Sequence, residues 1–230
     1  MTQAFDSISL KAKLLILIHI SLGSYIVYPI LITDILKLQN WMDPRYLQLV
    51  FSFLLLIPAL IWMKPFLLKS IRTFNAHPFK ESLSIVQTLP ILILSSGLLN
   101  WIAVSLTHVD ASTNQVLLGQ WFNQDPLLVI FEALVFAPIY EELIFRGFIQ
   151  QLISKINIQV GLWGSSLLFG LAHMITSSTS LTLSDFAFLP TYTILGYILA
   201  KRALKSDTII SSMGLHFINN LIGIIALMVI

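Results

Sequence analysis

Glu141 and Glu142 stand side by side in the run PIYEELIFRGF, residues 138–148, and Arg146 follows Glu142 by four residues. Two further runs carry imidazoles. FGLAH places His173 one helical turn after Phe169, and HFINN places Asn220 one turn after His216. A carboxylate beside water is a general base. A histidine next to it orients the same water or carries the proton onward. A second histidine with an asparagine offers hydrogen bonds to a developing oxyanion. Together these groups are the parts needed to add water to an amide carbonyl. On a helix the i, i+4 spacing lets Glu142 and Arg146 pair. Glu141 points about 100° away from that face, so it does not share the arginine easily and is left for other work. Pro138 lacks an N–H, frees the carbonyl of Leu134 in a regular α-helix, and favours a kink just before the carboxylates.

The elements that must position these groups are apolar throughout. Of 230 residues, 57% are hydrophobic and 10% charged, with a mean hydropathy of +0.86. Soluble domains carry about 25% charged residues, so lipid must cover part of this surface. The absence of cysteine excludes thiolate nucleophiles, zinc–cysteine sites and disulfides. A net charge of +2, from scattered basic residues, gives no sign of a nucleic-acid partner. Lys11 and Lys13 precede an apolar run that is too long for a signal-peptide core. It reads as a first membrane span.

Seven stretches suit spans of about 20 residues: 13–33, 47–68, 84–107, 126–152, 158–177, 186–203 and 208–229. The expected fold class is therefore all-α, a polytopic transmembrane bundle of about seven spans. Residues 1–125 carry no motif and residues 126–230 form the catalytic core of one integrated bundle. Strand alternation is absent. If the spans alternate, Lys11, Lys13, Lys64, Lys69, Arg72, Lys80, Arg146, Lys155, Lys201, Arg202 and Lys205 fall on one side, and Lys37 and Arg45 on the other. The positive-inside rule then makes the N-terminus cytoplasmic and the C-terminus external, in a multi-pass protein of the plasma membrane. The polar segment 111–125 is either a short interfacial helix or a loop.

Charge within a span is costly and marks functional candidates. With a 1.5 Å rise per residue, Glu141, His173, His216 and Asn220 lie roughly 18, 22, 12 and 18 Å from the same side of the membrane, so one shared cavity is feasible. The ordered set EELIFR (141–146), FGLAH (169–173) and HFINN (216–220) resembles the EExxxR, FxxxH and HxxxN motifs of the CAAX prenyl protease 2 and bacteriocin-processing (CPBP, or Abi) family of intramembrane proteases. The resemblance covers residues 126–229. It implies Glu141 as the base acting on a water with His173, His216 and Asn220 completing the water site or oxyanion hole, and Glu142 and Arg146 holding the architecture. It also implies a peptide or protein substrate at the bilayer, lipidated or a small secreted peptide. Glu141, His173 and His216 could bind zinc or another divalent metal. A metal-free glutamate mechanism suits the same residues, and HExxH is absent.

Plainer readings exist for each residue. Glu142 and Arg146 can simply brace the bundle, His216 with Asn220 can be interhelical glue, and His173 can be a packed, hydrogen-bonded histidine. Phe169 reads as packing. Glu132 falls on the face opposite Glu141 with no role, His19 reads as an interhelical hydrogen bonder, and His77 and His108 as solvated. Gly161, Gly164 and Gly170 allow close helix approach. Trp41, Trp62, Trp101 and Trp121 suit interfacial anchors. A proton-relay transporter uses similar residues, although no paired broken helices are present. A non-catalytic scaffold of the same fold is the third reading.

Overall fold

The structure, a computed structural model, describes residues 5–21, 30–31, 37, 40, 42–175 and 183–229. Among them every regular element is helical. In chain order these are α1 (Leu10–Ile18), α2 (Pro44–Trp62), α3 (Lys64–Ala76), α4 (Pro78–Thr107) and α5 (Thr113–Gln124). A continuous helical run over 126–154, here α6, follows, then α7 (Ile158–Ile175), the turn Leu183–Phe186, α8 (Leu189–Ser206) and α9 (Ile209–Val229). Trp41 lies outside the described residues, as do residues 22–29 and 32–33 of the first expected span and residues 34–36 and 38–39 of its following connection.

Among the described residues two helices are each long and apolar enough to cross a membrane, α4 and α9, and α2 with α3 makes a third if that bent pair is counted as one span. Outward-facing apolar side chains suit this. Leu94 is 72% exposed and Leu106 73% exposed on α4, which water would penalise and lipid does not. The expected second span, 47–68, is not one straight helix. The chain turns by 78° between α2 and α3. Pro65, in the first turn of α3, has no N–H to continue the ladder. The third expected span begins earlier, at Pro78, and Pro90 sits within it. The segment around 111–125 is a helix, capped by Ser112, whose hydroxyl oxygen accepts from the Gln115 N–H at 3.3 Å.

Polar contacts group the connections at two ends of the bundle. At one end Lys155 pairs with Asp6 at 2.9 Å, Arg202 with Glu81, and the Thr208 hydroxyl donates to the Ser70 carbonyl at 2.7 Å. At the other end the Ser112 and Tyr192 hydroxyls are 2.7 Å apart and Thr113 donates to Asp185. Arg202 and Arg146, expected among the charges that set topology, are instead buried and paired, with Glu81 and Glu142.

Helix α6 runs between two apolar clusters. Leu143, Ile144 and Phe148 pack with Phe5, Met63 and Phe66, while Phe145 meets the cluster of Phe169, Leu199 and Leu215. Small residues set the approach of neighbouring helices. A methyl on Gly161 would stand 2.9 Å from the backbone of Ser154, and one on Gly170 would stand 2.7 Å from the Thr193 hydroxyl. A methyl on Gly196 of α8 would lie 3.1 Å from the Phe169 ring and 3.2 Å from the backbone of Ser166. Overpacking of that kind costs about 1–3 kcal/mol. Gly196→Ala is therefore expected to lower the thermal midpoint of the detergent-purified protein. Gly97→Ala, whose added methyl meets nothing within 4 Å, leaves it unchanged or raises it through helix propensity.

Candidate active site

Helix α6 departs from regular geometry where the carboxylates lie. Two stretches, Glu132–Phe136 and Glu142–Ile149, follow the wider π pattern with i→i+5 bonding. Such widened turns are frequent at functional sites. The first changes which carbonyl the proline exposes. Ala137 donates to Glu132 in the π register, so the partner that Pro138 deprives is Ala133 rather than Leu134. The Asn220 side-chain amide, from α9, donates to that Ala133 carbonyl at 2.8 Å. Asn220 thus holds the wall of α6 about two turns before the glutamates, and its Oδ1 accepts from Asn219 at 3.3 Å.

Glu142 is fully buried and lies 3.1 Å from the Arg146 guanidinium, itself 1% exposed. The same Glu142 Oε1 accepts from Nδ1 of His216 at 3.1 Å. The carboxylate therefore does more than brace its own helix, because it also fixes an imidazole on α9. Arg146 donates to the Gly196 carbonyl of α8 at 3.0 Å and lies over the Phe169 ring at 4.3 Å. Phe169, with no exposed surface, is thereby a platform for the arginine as well as packing. Gln150, a further turn along α6, donates to the Ala200 carbonyl at 3.3 Å. Arg146 and Gln150 thus both bond to carbonyls of α8, while Glu142 meets α9. The sequence reading missed Gln150, although its i+4 relation to Arg146 was the available signal.

Glu141 faces elsewhere. Its Oε2 lies 4.0 Å from Nε2 of His173 and 3.9 Å from Nε2 of His216. That oxygen is buried and has no hydrogen-bond partner. The outer nitrogens of both rings are anchored. His173 Nδ1 meets the Phe169 carbonyl at 2.9 Å. A carbonyl only accepts, so Nδ1 carries the hydrogen, and a neutral ring then presents a lone pair at Nε2. The Glu142 carboxylate imposes the same tautomer on His216. Three of the four expected catalytic side chains thus converge on one point, and Asn220 secures the helix beside it.

The donor chemistry of Glu141, His173 and His216 is that of a catalytic zinc site, with each histidine backed by an acceptor at its other nitrogen. The spacing is not. An ion at roughly 2.0–2.1 Å from each donor in tetrahedral geometry brings nitrogen and oxygen to roughly 3.3 Å of each other, against the 3.9 and 4.0 Å here. Among the described residues no three His, Asp or Glu side chains group closely enough to hold a metal.

The other candidates resolve into structural roles. Glu132 accepts from the Ser52 hydroxyl at 2.6 Å and ties α6 to α2. His19 donates from Nε2 to the Leu55 carbonyl at 2.9 Å. His77 and His108 are exposed at helix ends.

Residues 123–222 match the family model described as type II CAAX prenyl endopeptidase Rce1-like, a family of membrane proteases, and the match spans all three motifs. No curated protein and no solved structure matches the chain.

Removing one partner of a buried pair leaves an uncompensated charge and costs about 3–5 kcal/mol. Glu142→Gln and Arg146→Ala are expected to reduce the yield and thermal midpoint of folded protein by far more than Glu141→Gln does. Arg146→Lys fails to restore either, because an ammonium cannot serve Glu142, the Gly196 carbonyl and the Phe169 face together. Normal yield and midpoint in all four variants would refute the bracing role.

Proposed function

We propose, on the premise that the chain belongs to the CAAX-protease family through residues 123–222, that it is an intramembrane endopeptidase in which Glu141 activates water. The observation that carries this reading is the buried, unpartnered Oε2 of Glu141 between two anchored imidazoles. Separations near 4 Å are too long for direct hydrogen bonds and suit a bridging water. In the proposed reaction Glu141 takes a proton from that water while the water oxygen bonds to the carbonyl carbon of the peptide. His173 holds the water through its Nε2 lone pair. His216, between the carboxylates of Glu141 and Glu142, donates from Nε2 to the oxyanion when it carries a second proton. The tetrahedral intermediate then collapses, the C–N bond breaks, and Glu141 returns its proton to the departing amine. Glu142, Arg146 and Phe169 support the site, and Asn220 positions α6 and adjoins the oxyanion.

The mechanism proposed is metal-free, since the donors stand too far apart for an ion as placed. The proposed substrate is a peptide or protein segment at the membrane, lipidated or a small secreted peptide. Comparing peptides from cells carrying the wild-type chain or Glu141→Gln tests the reading. Peptides present only with the former are expected, and their yield falls by about 10²–10⁴-fold in His173→Ala and His216→Ala. Release by the purified protein is expected to survive chelators, with less than stoichiometric bound metal. An identical peptide set with Glu141→Gln, at equal expression, would remove the peptidase assignment.

The proposed topology is a plasma-membrane protein with a cytoplasmic N-terminus and an external C-terminus. It is supported by the grouping of Asp6 with Lys155 and of Ser70 with Thr208 at one end. The chain has no cysteine, so single cysteines at Asp6 and Asp110 report directly on it. An impermeant thiol reagent applied to whole cells is expected to label the second and not the first, and the reverse pattern overturns the topology.

A further inference from the structure

His173 lies in the last described turn of α7, Ile158–Ile175. Its Nδ1–H bond to Phe169 comes from the same helix. A second restraint comes from another helix. The ring of Tyr192, on α8, stacks on the His173 imidazole with centroids 4.9 Å apart and planes 25° apart. The tyrosine is itself tethered. Its hydroxyl lies 2.7 Å from the Ser112 hydroxyl and accepts from the Asn114 amide at 3.4 Å. Ser112 is 4% exposed and caps α5. Between these two residues, Thr113 bonds Asp185 next to α8. The first turn of α5 therefore clamps the far end of the tyrosine whose near face carries His173. A stack fixes the plane of an imidazole, and the Nδ1–H bond fixes its rotation within that plane. Both are needed to keep Nε2 aimed at Glu141, 4.0 Å away.

We propose that Tyr192 is a positioning residue for the hydrolytic site, holding the His173 ring in the plane and tautomer that present Nε2 to Glu141, with Ser112 and Asn114 as its anchor. This rests on the peptidase reading above for its consequence in catalysis, but its physical content is a statement about one imidazole. Displacements of about 1 Å at a reacting group can cost on the order of 10²-fold in rate, so loss of the stack is felt without any change in the reacting groups.

The test uses the full chain in detergent, labelled with ¹³C,¹⁵N-histidine, with the His173 signals identified by their loss in His173→Gln. In the wild type the ring is expected as a single Nδ1–H tautomer, with carbon-bound protons moved upfield by the tyrosine face. Tyr192→Phe keeps the stacking ring but loses the tether to Ser112 and Asn114, and is expected to keep the upfield shift in reduced measure. Tyr192→Leu removes the ring, moves those protons downfield and mixes the tautomers, while the His19 and His216 signals stay in place. Release of Glu141-dependent peptides falls on the order of tenfold or more in Tyr192→Leu, up to the roughly 10²–10⁴-fold that a proton-transfer group supplies, and is partly rescued in Tyr192→Phe, which keeps the stack and loses the tether. An unchanged His173 spectrum in Tyr192→Leu overturns the proposal. Should that variant not accumulate, a nuclear Overhauser contact between the Tyr192 and His173 rings in the wild type decides the matter, and its absence overturns the proposal equally. If the spectra behave as expected but Glu141→Gln leaves the peptides unchanged, the positioning stands and the peptidase reading falls.

Discussion

Burial of Glu142 against Arg146 is the constraint on which the rest of this structure depends. Two charges removed from water each forfeit several kcal/mol of hydration, and the pair recovers that only through close geometry and further hydrogen bonds. Here the recovery involves four helices. Arg146 spends its donors on Glu142 of its own helix and on the Gly196 carbonyl of α8, and lays its plane on Phe169 of α7. Glu142 accepts in addition from His216 of α9. The charge that makes α6 costly to bury is thus what fixes its neighbours, because any shift of one helix leaves a charged group unserved in a low-dielectric interior. Gly196 is part of the same solution, since a side chain there would separate α8 from Ser166 and Phe169 of α7.

Two adjacent glutamates divide the work because they leave the helix in different directions. Glu142 meets Arg146 and His216 directly, both through Oε1 at 3.1 Å. Glu141 keeps one oxygen without a partner and meets only the inner nitrogens of two rings, at distances beyond direct bonding. The two residues are linked through His216, which gives its outer hydrogen to Glu142 and turns its inner nitrogen to Glu141. A structural ion pair therefore sets the tautomer of an imidazole that faces Glu141. The π turns of α6 belong to the same arrangement. They move the carbonyl exposed by Pro138 to Ala133, where Asn220 binds it, and so α9 grips α6 on both sides of Glu141, through His216 and through Asn220.

How far the site was legible can be judged residue by residue. The i, i+4 relation of Glu142 and Arg146 was sufficient to pair them, because helical spacing alone brings such side chains together. The separation of Glu141 from that pair followed from the same geometry. That His216 leans on Glu142 as well as on Glu141 was not legible, since it depends on how α9 crosses α6. The expected freeing of the Leu134 carbonyl was displaced by one residue, because sequence spacing assumes the α register and the π register is a tertiary outcome. The break between α2 and α3 had a local signal in Pro65, yet an apolar run across it masked the turn.

The sequence by itself determined the medium, the helical class and the identity of the polar residues. Composition limits what can face water, and motif order limits which side chains can meet. Three matters were left to the tertiary structure: the convergence of Nε2 from His173 and His216 on one oxygen of Glu141, the spacing of those donors, and the assignment of Asn220 to the Ala133 carbonyl. Each is a relation between side chains on different helices. Helix crossings are set by the sizes of residues such as Gly170 and Gly196 and by the demands of one buried ion pair, and distances of that kind have no counterpart in the linear spacing of a motif.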